Sequence, residues 1–112
     1  MGIPSLPRDG ANTQVPLPPA KVAVSTSTQT VDASTTFAIT AGATFIEVSS
    51  FAQAAYLKWG STAVTSSNAD HTVHAGGTIH RAIPVDTTTG ALFTTMRVIG
   101  QAAGATVTIS QF

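Results

Sequence analysis

The stretch TFIEVSSFAQAAYLKWGS, residues 44–61, sets the period of the whole chain. Apolar side chains recur in it at every second position, Ile46 and Val48 and then Ala55, Leu57 and Trp59. A period of two belongs to a strand half buried on a sheet, and no apolar i, i+3, i+4, i+7 stripe competes with it. Only SFAQAAYL, residues 50–57, has the composition to wind a single helical turn. The stretch also brings the one Trp and the one Tyr of the chain beside a Lys. That grouping suits a ligand-stacking platform, a nucleic-acid groove or the packed middle of a small β-domain. Alternation decides among them: Tyr56 and Lys58 share one face and Leu57 and Trp59 the other, so the two rings cannot form one platform. Trp59 is expected in the core or at its edge, and Tyr56 on a contact between copies.

Outward from this segment, turn signals recur at the short intervals of an all-β fold, with Gly42, Gly60, Gly76, Gly77, Gly90, Gly100 and Gly104 as punctuation. Strands are expected at 36–40, 43–49, 54–59, 62–65, 77–84, 91–99 and 104–110. Together they predict a small antiparallel β-sandwich or barrel of about seven strands, with next to no helix. The inward set is Phe37, Ile39, Ile46, Val48, Ala55, Leu57, Trp59, Ile79, Arg81 or Ile83, Leu92, Met96, Val98, Val107 and Ile109. The opposite faces carry mostly Thr and Ser with Glu47, Lys58 and His80, as a solvated antiparallel face does.

Upstream the composition changes. Five of the six prolines fall within the first 19 residues, fixing φ and removing backbone donors that a helix or central strand needs. Residues 1–35 are therefore expected to be an extended arm and linker, with an edge strand at 21–25, and residues 36–112 the sandwich body. Ordering about 30 such residues costs on the order of 30–60 kcal/mol of backbone entropy, which an arm poor in large apolar groups recovers only on a partner surface.

Composition narrows the function classes. The 112 residues hold five basic and five acidic side chains, 9% charged in all, with a formal net charge of zero. No basic field exists to attract phosphate or anionic lipid, so neither a nucleic acid nor a membrane is an expected partner. Roughly a quarter of the residues are Ser or Thr, which must cover the surface instead. Low charge with a balanced sign favours association. There is no Cys, so no disulfide or thiolate site is available. No apolar run approaches a bilayer span and the start MGIPSLPRDG has neither the basic nor the apolar part of a secretion signal, so a soluble chain made in the cytoplasm is expected.

Chemistry-bearing residues concentrate in DHTVHAGGTIH, residues 70–80, where Asp70, His71, His74 and His80 have the makings of a zinc or nickel site. On a strand, however, positions 71 and 74 face opposite sides, and Gly76 and Gly77 oppose the helix on which that spacing would work. Neither a metal nor a cofactor is expected; the histidines suit a loop or an interface, which protonation near pH 6 would loosen. No nucleophile stands beside a base, no phosphate-loop or dinucleotide glycine pattern occurs, and the five carboxylates are scattered, so catalysis is not expected. The triplet Arg8, Asp9 and Gly10 reads as a turn.

The succession FAIT-x-G-A-T-F-I-E-V, A-A-Y-L-K-W-G, A-V-T, A-D-H-T-V-H-A-G-G-T and G-A-T-V-T-I, with P-R-D-G in a proline-rich start, resembles small β-sandwich structural proteins of tailed bacteriophages. The resemblance covers nearly the whole chain in short motifs. It implies a virion component made in the bacterial host and, given the arm and the uncharged body, a capsid decoration (cement) protein on the outer capsid surface. The implied partners are the major capsid protein and further copies of the chain, as a homo-oligomer with a trimer among its forms. Pro4, Leu6, Pro7, Arg8, Val15, Pro16, Leu17, Pro18 and Pro19 would then dock on the capsid, and Tyr56, Lys58, His80 and Phe112 would make contacts between copies. A tail, neck or baseplate component shares the same body. A carbohydrate-binding module would instead use Tyr56 or Phe51 with Asn68 and Asp70.

Overall fold

A computed structural model describes residues 22–112. The arm residues from Pro4 to Pro19 lie outside it. Among the described residues there is no helix, and eight strands form: β1 (Ser25–Thr30), β2 (Thr35–Ala38), β3 (Phe45–Phe51), β4 (Ala55–Trp59), β5 (His71–Val73), β6 (Thr78–Ala82), β7 (Thr95–Gly100) and β8 (Thr106–Gln111). They make two four-stranded antiparallel sheets, β1-β8-β3-β6 and β2-β7-β4-β5, packed face to face as a small β-sandwich. Every connection except β4–β5 passes from one sheet to the other.

The period of two places the core. On β3 it buries Ile46, Val48 and Ser50; on β4 Ala55, Leu57 and Trp59; on β7 Met96 and Val98; on β8 Val107, Ile109 and Gln111. Most of these are β-branched, aromatic or small residues suited to a pleated interior, with Leu57 and Met96 filling the space between them. Phe37 and Ile83 close the two ends, and Ile39, Ile79 and Phe93 pack against the cluster from its rim. The choice between Arg81 and Ile83 falls to Ile83: Arg81 has the inward parity but sits at the open edge of β6, exposed, with Nη1 donating to the His80 carbonyl at 2.8 Å.

Several expectations are corrected. Of the edge strand expected at 21–25, residues 22–24 are outside any strand; β1 runs from Ser25 to Thr30, so this part of the expected linker is paired along its length with β8. Val31, in the same segment, is wholly buried. Its N–H donates to the Ala105 carbonyl of one sheet's end, and its C=O accepts from Gly100 N–H in the other. At Gly100 the backbones are so close that a Cβ would lie 2.4 Å from that of Ala105.

No strand forms at 62–65. There Asn68 takes the local hydrogen bonds, accepting from Thr65 N–H at 2.7 Å and donating to the Ala63 carbonyl at 3.0 Å, so the segment closes on itself. His71–Val73, which carries one large apolar residue, pairs with β4 instead. Leu92 is exposed rather than inward: it pairs with Val85 across a hairpin whose turn is held by Asp86, which accepts from Thr89 and Gly90 N–H through its carbonyl and from Thr88 N–H through its carboxylate.

Two polar side chains are buried among the described residues, Ser50 and the larger Gln111, the latter 3% exposed. Gln111 ties the sheets. Its Oε1 accepts from Thr40 N–H at 2.6 Å and its Nε2 donates to the Ala38 carbonyl at 2.9 Å, so β8 of one sheet holds the end of β2 in the other. Gln111→Leu keeps the bulk but strands both backbone groups, at roughly 1–3 kcal/mol for a buried unpaired group. We expect a loss in that range by urea unfolding; a change below about 0.5 kcal/mol, the scale of a neutral surface substitution, would remove Gln111 as a tie between the sheets.

Candidate association surface

The two outer faces of the sandwich are finished differently. Over the second sheet, β2-β7-β4-β5, the chain between Trp59 and His71 folds back as a cover. Val64 in this loop is 1% exposed although it lies outside the core cluster. Arg97, on the outward side of β7, holds the cover down: Nε donates to Ser34 Oγ at 3.1 Å, Nη2 to the Ser34 carbonyl and Nη1 to the Ser61 carbonyl, both at 3.0 Å. Ser34 Oγ also accepts from Val64 N–H. Tyr56 and Lys58 stand on this face, half buried, with Lys58 Nζ donating to the Asn68 carbonyl at 3.3 Å and lying 3.9 Å from Asp70 Oδ1. Lys58 is thus engaged within its own chain.

The first sheet, β1-β8-β3-β6, has no such cover among the described residues. Its outward side chains form cross-strand rows fixed by the register. One row is Thr26, Ser110, Glu47 and His80, and the next is Thr28, Thr108, Ser49 and Thr78. Hydroxyls bond along them: Thr28 to Thr108 and Ser49 to Thr78 at 2.8 Å each, and Thr26 to Ser110 at 3.2 Å. Glu47 Oε2 and His80 Nε2 meet at 3.1 Å in an exposed contact, which contributes little to stability.

The end row is apolar. Phe112 exchanges both backbone hydrogen bonds with Phe45, and the rings stack with centroids 4.8 Å apart and planes 8° from parallel. Ala82 stands beside Phe45 in register, and Val24, nearly half exposed, lies at the same end of the sheet. The Phe112 ring is thus stacked on Phe45 of its own chain, and both rings stay partly exposed.

Of the four residues expected at contacts between copies, His80 and Phe112 share this face while Tyr56 and Lys58 lie on the opposite side of the molecule, so the structure does not bring the four together. Of the alternative sugar-binding residues, Phe51 lies on the first sheet, while Tyr56 lies on the second with the loop that carries Asn68 and Asp70; there the Asn68 side chain bonds its own loop and Asp70 Oδ2 accepts from Trp59 N–H at 2.9 Å. Sequence reasoning missed Phe45 and Val24, whose signal was the alternation itself: Phe45 has the outward parity of Glu47.

The histidines are dispersed. His74 sits in the β5–β6 turn and His80 on the outer face, and among the described residues no three His, Cys, Asp or Glu side chains gather to hold a metal. His71 turns inward at the edge of β5, where its Nε2 accepts from Trp59 Nε1 at 3.1 Å and the two rings meet edge to face. Trp59, 7% exposed, also stacks on Phe93. A cleft of about 390 Å³ opens nearby, between Gly60, Ser61 and the Asp86–Leu92 hairpin.

Burial pushes the His71 pKa below the ordinary histidine value; Arg81 across the rim lowers it further, and Asp70 partly opposes this. The neutral ring is the form that accepts from Trp59, so His71 stabilises the fold above the unfolded pKa of about 6.5, and that contribution is lost as pH falls towards the depressed folded value. We expect Trp fluorescence and the urea midpoint to change together as pH drops from 7 to 5, and His71→Gln to flatten that response. An unaltered pH profile in His71→Gln would assign the acid sensitivity to other groups.

Comparison with family models, with curated proteins and with solved structures finds no match for this chain.

Proposed function

We propose that this chain is a structural component of a tailed-phage virion, most specifically a capsid decoration protein that binds the major capsid shell through its N-terminal arm and associates with further copies of itself. The observation that carries the reading is the outer face of the first sheet. One face of the sandwich is closed by the chain's own loop, whereas the other presents rows of Thr and Ser, one exposed Glu47–His80 contact and an apolar end row of Phe45, Phe112 and Ala82. A broad face with few charges and a hydrophobic end is cheap to desolvate against another protein. The sequence resemblance supplies the setting, and repetition over a shell would turn modest contacts into durable attachment.

Immunogold microscopy of purified particles, with antibody raised against the recombinant chain, tests the assignment. Label spread over heads is expected; label confined to necks or tails would move the protein to the tail or baseplate class, and unlabelled particles would end the virion reading. A second expectation separates arm from body. Deletion of residues 2–20 leaves the far-ultraviolet circular dichroism of the sandwich intact and reduces binding to capsids lacking the protein, whereas an unfolded body would mean that the arm is part of the fold.

A further inference from the structure

Among the described residues the sandwich has four edge strands, and three are blunted in ways natural sheets use to avoid pairing with other chains. β6 carries His80 and Arg81; β5 is three residues long and follows Asp70; β2 is four residues long. The fourth, β1, is different. Ser25–Thr30 is six residues of STSTQT, without charge, proline or glycine, and residues 22–31 contain no ionisable side chain at all.

Hydrogen-bond phase shows what this edge offers. In β3–β8 the even residue Phe112 exchanges both bonds with Phe45, so the odd residues of β8 turn their backbone groups towards β1. Val31 N–H bonding the Ala105 carbonyl agrees with that phase. The odd residues of β1 are consequently paired with β8, and the N–H and C=O groups of Thr26, Thr28 and Thr30 point to the open side, where no described strand lies.

We propose that β1 pairs antiparallel with β1 of a second copy, joining two first sheets into one continuous eight-stranded sheet about a two-fold axis at Thr28. In this register Thr28 faces its own mate and Thr26 faces Thr30, so the outward backbone groups meet as hydrogen-bonded pairs and every outward side chain of the pair meets another threonine. β1 already makes such contacts on its other flank, where Thr28 and Thr26 bond Thr108 and Ser110. A segment bearing charge would find no counter-charge here, whereas a copy of β1 opposes hydroxyl to hydroxyl and repels nothing. The contact area of one strand pair falls below the roughly 1,200 Å² typical of stable complexes, so the isolated dimer is weak and concentration-dependent. This pairing deepens the self-association in the proposed function and rests on it, and it yields a dimer rather than a trimer.

The absence of Cys allows a direct test on the full-length chain. Facing residues in a hydrogen-bonded antiparallel pair have Cα atoms about 5.5 Å apart, within the span of a disulfide. Thr28→Cys, oxidised mildly and run on non-reducing gels, should give covalent dimer several-fold faster than Ser66→Cys, an exposed thiol on the covering loop of the other face. In analytical ultracentrifugation, Thr28→Lys should weaken self-association several-fold by placing like charges opposite each other, and added salt should restore part of it.

If Thr28→Cys links no faster than Ser66→Cys, the β1 pairing is wrong. If the native protein sediments as a trimer, or Thr28→Lys associates as the native chain does, self-association stands but uses another surface. Should Thr28→Lys fail to fold by circular dichroism, the cysteine rate alone decides. None of these outcomes alters where immunogold label falls on particles, so the virion reading is judged separately.

Discussion

Val31 gives its N–H to one sheet and its C=O to the other, and the position of everything else follows from that division. A domain with 9% charged residues and no cysteine has few ways to fix the relation of two sheets. Buried apolar contact draws them together but is non-directional. The directional part comes from two polar ties: Val31 at one end of the β1/β8 side, and Gln111, clasping the backbone of Ala38 and Thr40, at the other end of β8. With both in place β1 must be an edge, β2 must be the edge facing it, and the side chains of β3, β4, β7 and β8 interdigitate in a single register.

The opposite side of the sandwich is looser in composition. There the inward parity of β5 carries His71 beside buried Val73, and that of β6 carries exposed Arg81 beside Ile79, so polar groups stand at the rim of the apolar layer. Trp59 lies just inside them, its indole N–H satisfied by His71 and its backbone N–H by Asp70. Two of the residues that looked most chemical in the sequence, Asp70 and His71, thus hold one large ring in place. The same arrangement makes that side sensitive to acid, because a protonated His71 cannot accept from Trp59 and would confront Arg81.

Fold class and core were legible because alternation is a property of the chain itself: Ile46, Val48, Leu57, Trp59, Met96, Val98, Val107 and Ile109 all point inward as their spacing requires. The errors came where short-range hydrogen bonding overrode that pattern. Asn68 and Asp86 folded TAVT and the start of ALFTTMRVI into loops, and β5 was too short to show a period. β1 was partly hidden because Ser and Thr mark loops and strands alike, and only pairing with the equally Thr-rich β8 identifies it. Of the candidate surface, the hydroxyl-rich character was visible and the grouping was not, since which outward residues share a face depends on the order β1-β8-β3-β6, and no local pattern encodes a strand order.

The contrast between the two faces bears most directly on function. A chain short of charge could have covered both faces with its own loops, yet the covering segment between β4 and β5 is anchored on one side alone, by Arg97, Ser34 and Lys58. On the other side the Thr and Ser hydroxyls are paired among themselves, which lowers their demand for water, and the rings of Phe45 and Phe112 are stacked in advance. Both features reduce the desolvation and ordering that association must overcome. On the function proposed above, such a face needs no strong pairwise contact to hold its partner, because many copies would bind side by side over a repeating shell, as they would not on a solitary soluble receptor.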